Sequence, residues 1–389
     1  MTEFDVTIIG AGLAGLQCAR LLAGRGLRVL LSDRKTSLDK SIHTTGIFVR
    51  KTLEDFTLPG DCLGPPIRHV TLYSPGRRSV ELVSPNAEFR VGRMALLYNR
   101  FLEDCIRRGA EWLPGVRYVE QTTSGHSSIV GFEAGRGVRQ IRTRYIVGAD
   151  GAASRVAENL SLDINREWIV GIEEVITGIP LEGPPRLHCF IDPRIAPGYL
   201  AWLAHDGEQV HLGVGGYPSH FDPLNTLKTF RSSLQDKFDF SRAQFLERRG
   251  GRIPVNGILR RIANERGLLV GDAAGAVSPL TGGGLDPCLR LSTFAAAVIE
   301  EYLESGDKQV LRAYSGELFR ARFVSRLWMR RLIANIRDPA LIELGWVALR
   351  LPILNALVWH IFFGRGSFPD VQLAHARPPA AMVESSPLF

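Results

Sequence analysis

Three passages of the chain carry residues suited to holding a phosphorylated, negatively charged ligand. The first is Gly10-Ala11-Gly12-Leu13-Ala14-Gly15, which follows the β-branched run 6–9 and precedes a stretch rich in Ala and Leu. In the order strand, glycine turn, helix, each glycine has its own task. Gly10 makes the tight turn, Gly12 lets backbone approach a pyrophosphate, and Gly15 lets the helix pack on the strand. The helix start offers unpaired N–H groups and the positive end of its dipole. A second apolar run, 28–32, ends at Asp33, followed by Arg34. A carboxylate there accepts hydrogen bonds from ribose hydroxyls and repels a 2′-phosphate. The plain alternative is a βαβ unit with a solvated Asp33. The combination favours a ligand with an adenosine diphosphate half.

The second passage is Gly148-Ala149-Asp150-Gly151, and the third runs from Gly271-Asp272 through Pro279 to Gly282-Gly283-Gly284. Both place an acid at a strand end beside small residues, although ordinary turn acids do the same. After the glycine run, Asp286 suits an N-cap and Pro287 the first helical position. The three glycines would then sit just before a helix N-terminus, where negative charge is stabilised.

Together these passages resemble flavoproteins of the para-hydroxybenzoate hydroxylase type, and among them most of all the geranylgeranyl reductase family. Arg93-x-x-Leu96 is similar to the arginine that opens a helix in that group. The resemblance implies FAD as cofactor. It places Gly10, Gly12 and Gly15, with Leu13 and Ala14 between them, at the pyrophosphate, and Asp33 and Arg34 near the adenosine ribose. It puts Arg93 near the pyrophosphate and Asp150 in a turn that also serves transient nicotinamide binding. It sets Asp272 at the ribityl chain or a nearby phosphate, counts Gly271 and Pro279 among the cofactor-binding residues, and puts Gly282, Gly283 and Gly284 at the flavin N1–C2=O edge. Two-electron reduction puts negative charge at N1, which a helix N-terminus stabilises. An external electron donor, NAD(P)H or another reductant, is implied, and it has no dinucleotide fingerprint of its own. Gly213-Val214-Gly215-Gly216 has the wrong spacing and no following helix.

The substrate side departs from the resemblance. The family's Lys/Cys/Gly passage corresponds to Lys40-Ser-Ile-His43-Thr44-Thr45-Gly46, without cysteine. His43 is a candidate proton donor there, or else a loop residue bonded to backbone. The family's Tyr-x-Trp pair corresponds to Tyr199-Leu-Ala-Trp202, displaced by one residue. On a strand Tyr199 and Trp202 would point to opposite faces. Trp202 is a candidate wall of the substrate cavity, and core packing is the alternative.

These residues need a parallel sheet to present the turns and a second layer to enclose a substrate. The expected fold is α/β: a Rossmann-type FAD-binding domain with an inserted antiparallel β-sheet substrate domain and C-terminal helices. Residues 1–62, 93–165 and 254–305 form the expected FAD-binding domain, and 63–92 and 166–253 the substrate domain. A helical region, 306–376, and a loose tail, 377–389, follow. A helix is expected from about 91 to Gly109, a strand meander over 116–146, and a covering helix over 223–238.

At 389 residues with 45% hydrophobic content the chain can bury a sizeable core. Its five scattered cysteines form no C-x-x-C pair, so neither zinc nor a disulfide framework is expected, and a cytoplasmic setting is. The first strand starts so early that no secretory leader is expected. Of the formal net charge of +7, most lies between residues 310 and 369, which hold nine arginines against Glu317, Asp338 and Glu343. Arg322, Arg326, Arg330 and Arg337 fall on one helical stripe, and the apolar stretches 344–349 and 351–363 follow. Arg350 and Pro352 interrupt them, so no run spans a bilayer. A peripheral helix facing anionic lipid at the inner face of the membrane is one reading, and a solvated basic face is the other. Nucleic acid binding is not expected, since the basic stripe is confined.

The expected activity is reduction of carbon–carbon double bonds in an isoprenoid or lipid. The alternative is a flavin-dependent monooxygenase acting on an apolar or aromatic substrate. A third reading is a flavin- or lipid-binding protein without catalysis, against which the three intact turns argue.

Overall fold

A computed structural model describes residues 2–364 except 136, 220, 350 and 351. The expected tail 377–389, the end of the helical region beyond 364, and Arg350 lie outside the described residues. The architecture is a parallel α/β sheet joined to a second, mainly antiparallel sheet, with helices closing the C-terminal side.

Five strands, mostly apolar where they are buried, make the parallel core. Glu3–Ile9 pairs on one side with Val29–Ser32, which pairs with Glu111–Leu113. On its other side Glu3–Ile9 pairs with the end of Gly137–Gly148, which in turn pairs with Gly267–Leu269, all parallel. Strand order therefore reverses beside Glu3–Ile9. At such a switch point the strand ends diverge and leave a crevice that ligands occupy. Gly10 and Ala149 sit at this point, and all three motif turns open onto it. The helix Leu13–Ala23 packs between Leu285–Ser305 and Met94–Arg107. The last of these stops where Gly109 takes φ +96°. The strands Arg117–Ser124, Ser127–Ala134 and Gly137–Gly148 form the meander.

The second sheet has seven strands, in the order Gln244–Pro254, Trp168–Thr177, Val210–Gly216, Ala201–His205, Arg186–Phe190, His69–Tyr73, Ser79–Val83. It departs from the antiparallel expectation at one pair, since Arg186–Phe190 runs parallel to His69–Tyr73. The long connection between those strands carries the chain back through the first sheet, which frees it from hairpin geometry. One face is covered by the helix Pro223–Ser232, capped by Asp222, through Leu227 and Phe230. Burying each of those side chains stabilises by roughly 1.5–3 kcal/mol. The other face looks toward the crevice.

The C-terminal helices Val324–Ala334, Pro339–Ala348 and Pro352–Phe363 close the open side, and Trp346 and Phe363 enter the cluster around Leu72, Leu187 and Cys189. No single helix among the described residues is long and apolar enough to cross a membrane. All five cysteines are buried and free.

Candidate functional site

The crevice is one continuous cavity of about 1760 Å³. That exceeds the roughly 300–1,000 Å³ of a single small-molecule site, so it has room for a cofactor and a substrate together.

At the dinucleotide end the walls are mostly backbone. Gly10 adopts φ +105°, and a Cβ there would lie 2.2 Å from the Ala149 carbonyl oxygen. A Cβ on Gly15 would lie 1.9 Å from the Gly10 oxygen, so this glycine sets how closely helix meets strand. Gly12 faces open space and is the N-cap of its helix without any side-chain cap. The first-turn N–H groups of Leu13 and Ala14 thus stand open to the cavity, which both residues line. Asp33 accepts from the N–H of Ala11 at 2.7 Å and of Lys35 at 2.8 Å, which pins its carboxylate at the rim beside Arg34. An uncapped helix start, an unobstructed glycine and a fixed carboxylate fit the adenosine diphosphate half of FAD.

Asp150 also lines the cavity, with its carboxylate engaged in its own turn. It accepts from the Ser154 hydroxyl at 2.6 Å and from the N–H of Val156 at 3.1 Å, and burial pushes its pKa up. Asp272 is different. No side chain pairs with its carboxyl among the described residues, and burial alone pushes it up to about 6. Gly271, at φ +58°, lets this turn press on Ala14. Asn165 ties the two turns by donating to the carbonyls of Ala152, at 3.0 Å, and Asp272, at 2.8 Å. No spacing in the sequence pointed to Asn165.

Several expected site residues stand elsewhere. Arg93 does not line the cavity: its guanidinium turns away to pair with Glu208 at 2.9 Å, because the Asp206–Gly207 turn passes beside it. Pro279 is buried behind the cavity wall, where it shapes the loop from below. In the glycine run, Gly282 donates its N–H to the Ser278 oxygen at 2.9 Å and Gly283 to the Thr281 hydroxyl at 3.4 Å. The loop closes on itself, so the free donors are the N–H of Gly284 and the first turn behind it. Gly284 is the N-cap of Leu285–Ser305, and Asp286 lies inside that helix. Asp286 is drawn off the capping role by Arg290 at 2.9 Å and the Thr52 hydroxyl at 2.8 Å.

On the substrate side, Trp202 lies across a floor without side chains. A Cβ on Gly213 would meet its ring at 2.2 Å, and Gly171 and Gly215 lie beneath the ring's far edge. The glycine cluster that has the wrong spacing for a dinucleotide therefore makes room for an indole. Tyr199 precedes the strand, so strand alternation does not govern it. Its ring meets Trp202 edge-on at 6.5 Å, and its hydroxyl donates to the Thr281 carbonyl at 2.5 Å. Both rings line the cavity. His43 also lines it, with Nδ1 2.7 Å from the Gly250 carbonyl. That bond fixes the Nδ1–H tautomer and leaves Nε2 as the nitrogen not engaged by it.

Behind Trp202 is a buried charged knot. Glu173 accepts from the Thr45 hydroxyl at 2.6 Å and the Trp202 indole N–H at 3.3 Å, with His211 at 3.4 Å and Arg249 at 3.6 Å. Burial alone would raise the Glu173 carboxyl, but His211, Thr45 and Arg249 hold it below its usual range. Burial would likewise lower His211, yet Asp206 at 3.8 Å and Glu173 on its two sides lift it to about 9. The sequence held one signal for this knot: Glu173 alternates in register with Ile169, Gly171 and Val175, and so shares their inward face.

The arginine stripe is oriented inward. On Val324–Ala334, Arg326, Met329, Arg330 and Ile333 line the cavity, while Val324, Trp328 and Leu332 face outward. Arg337 falls in the loop before Pro339–Ala348, off the stripe, and the side chain of Arg322 lies outside the described set.

The chain matches the family model described as lycopene cyclase protein over residues 5–176. It is 25% identical over 359 residues to digeranylgeranylglycerophospholipid reductase 3 of Methanosphaera stadtmanae, covering 88% of this chain and 89% of the relative. It is 29% identical over 318 residues to digeranylgeranylglycerophospholipid reductase 2 of Methanopyrus kandleri, covering 78% and 79%. Among solved structures, a geranylgeranyl bacteriochlorophyll reductase-like protein from Thermoplasma acidophilum superposes with a TM-score of 0.79 at 20% identity, covering 88% of this chain and 91% of that one. A p-nitrophenol 4-monooxygenase from Pseudomonas putida superposes at 0.74 with 15% identity, covering 95% and 100%.

Proposed function

We propose that this chain, similar over most of its length to reductases of the geranylgeranyl type, is an FAD-dependent oxidoreductase that saturates carbon–carbon double bonds of an isoprenoid lipid. The observation that carries this reading is the single cavity, in which the dinucleotide turn and the Gly284 helix start continue into walls of Leu72, Leu187, Leu357 and Val358. An isoprenoid chain is long, apolar and flexible, and a wall of that kind suits it.

Bound in this site, reduced FAD supplies the hydride. The protein's part is orientation and electrostatics. Gly12 and the helix start behind it hold the pyrophosphate, Asp33 the adenosine ribose, and Asp272 the ribityl hydroxyls. The N–H of Gly284 and the positive end of its helix stabilise negative charge at the pyrimidine edge. Trp202 and Tyr199, which line the cavity, would hold an apolar chain in place and exclude water. His43, its ring fixed by Gly250, is the proton donor, and when cationic it offers Nε2–H to the carbon that does not take the hydride. NAD(P)H or another external carrier replaces the electrons.

The reading extends to the membrane. The C-terminal helices expose apolar side chains to the outside: Trp328 is 65% exposed and Ile353 83%, and Leu332, Leu341 and Leu344 are exposed too. Arg331 lies over the Trp328 ring at 5.4 Å and adds basic charge at its edge. We place this face against anionic lipid on the cytoplasmic side, where the substrate resides. Sedimentation with anionic vesicles, reduced by the double variant W328A/I353A, tests that placement.

The catalytic reading is tested by mixing chemically reduced holoprotein, without oxygen, with geranylgeraniol. The yellow flavin colour should return as the alcohol gains pairs of hydrogens. If colour returns only with oxygen, and the product carries an added oxygen atom, the protein is a monooxygenase.

A further inference from the structure

Strand register places four residues in one row across the second sheet. Arg249 pairs with Glu173, Glu173 with Gly213, and Gly213 with Trp202, each on the neighbouring strand. Directly opposed residues share a face of the sheet. Arg249, Glu173 and Trp202 therefore point the same way, and all three line the cavity. The glycine between them lets the indole lie across to Glu173.

The Glu173 carboxylate is 3% exposed, and its two oxygens have different partners. Oε1 faces His211 at 3.4 Å and Arg249 at 3.6 Å. Oε2 accepts from the Thr45 hydroxyl at 2.6 Å and from the Trp202 indole N–H at 3.3 Å. The adjacent Glu174, on the opposite face, pairs one oxygen with Arg248 and the other with Arg231. Glu174 is thus an ion pair and nothing more, whereas one oxygen of Glu173 gathers two groups that line the cavity. Burying a carboxylate is costly, and packing alone needs only an apolar residue at this position.

Thr45 lies in the segment 43–46, which the chain carries across from the first domain. Three successive residues attach that segment to the second sheet. His43 is bonded to the Gly250 carbonyl at 2.7 Å, the Thr44 carbonyl accepts from Arg249 at 3.3 Å, and Thr45 donates to Glu173. The last bond is the shortest, and its ionised acceptor makes it about twice as strong as a neutral bond.

Resting on the reductase reading above, we propose that Glu173 is a positioning residue: it pins the loop carrying His43 to the wall made by Trp202. The pin fixes the spacing between proton donor and substrate. Hydride and proton must reach neighbouring carbons of one double bond, and the donor must lie within hydrogen-bond reach of its target. A displacement of about 1 Å costs on the order of 10²-fold in rate. The apolar walls that hold the chain are untouched by such a displacement. Releasing the loop should therefore slow the reaction at saturating substrate and leave affinity as it was.

The test uses the FAD-loaded protein with Thr45→Val, which removes the hydroxyl and keeps the shape, and Thr45→Ser, which restores it. Amide hydrogen exchange over residues 43–47 reports whether the loop is held, since the buried Gly46 amide is bonded to the Thr44 hydroxyl. Reoxidation of chemically reduced flavin by a geranylgeraniol series, without oxygen, gives the saturating rate and the half-saturating concentration. T45V should speed loop exchange about tenfold. It should also lower the saturating rate by about tenfold or more, with the half-saturating concentration unchanged. T45S should recover most of both losses. Faster exchange with an unchanged rate overturns the positioning role. A raised half-saturating concentration at an unchanged rate overturns it too, by making Thr45 a substrate contact. Unchanged exchange in T45V overturns the pin itself. A wild type that geranylgeraniol does not reoxidise defeats the reductase reading instead, and loop exchange in T45V then decides by itself whether Glu173 pins the loop. Flavin per chain and melting temperature show whether each variant is folded, and if T45V fails there, T45A takes its place against T45S.

Discussion

The two ends of the cavity are made of different material. At the dinucleotide end the surface is backbone: Gly10, Gly12, the start of Leu13–Ala23 and the N–H of Gly284. At the substrate end it is side chains, Trp202, Tyr199, His43, Arg330 and the apolar residues of the last helices. Backbone can act only where side chains are absent, so a backbone-built site leaves its record as glycine spacing. A side-chain site needs residues brought together from distant strands, and no spacing records that.

Substitutions at the two ends should therefore fail differently. The largest effect is expected for Gly15→Ala, whose Cβ lies 1.9 Å from backbone that cannot move. Flavin should be lost outright, measured as visible absorbance per chain, and retention of flavin would break the comparison. Next is Arg290→Met, which leaves Asp286 without its cation and Asp55 with Lys51 alone. Loss of about 3–5 kcal/mol in urea unfolding is expected.

At the substrate end the effects are smaller and should spare the cofactor. His211 is lifted from 6.5 to about 9 in the folded chain. The stabilisation this represents is fully present below about pH 6.5 and is lost as pH rises through about 9. It amounts to on the order of 1–3 kcal/mol, and H211N should lack that slope in urea midpoints taken between about pH 6 and 10. Gly213→Ala should push the Trp202 indole off its floor, weakening substrate binding about tenfold while flavin content stays unchanged. Equal loss of flavin in this variant and in Gly15→Ala would erase the distinction between the ends.

This division also explains what could be read before the structure. The three glycine turns, the acids Asp33, Asp150 and Asp272, and the two-layer α/β architecture were legible because strand, turn and helix follow one another locally. Arg93 was misplaced because its partner, Glu208, comes from a turn more than a hundred residues away. Gly282 was read as a donor because spacing does not reveal that its N–H closes the loop on Ser278. The arginine stripe was visible as a stripe, but helical periodicity gives two faces and does not say which is inside. That choice depends on Tyr199 and Tyr217, which stand at the ends of strands in the second sheet. Glu173 and Asn165 belong to the same class, polar residues whose meaning comes from distant partners.

The central claim is that one cavity brings flavin and an unsaturated lipid chain together. Its most direct test is accurate-mass comparison of lipid extracts from cells with and without this protein. The account predicts a lipid whose isoprenoid chains are heavier by pairs of hydrogens when the protein is present. A lipid or quinone heavier by one oxygen instead, or extracts that do not differ, would contradict it.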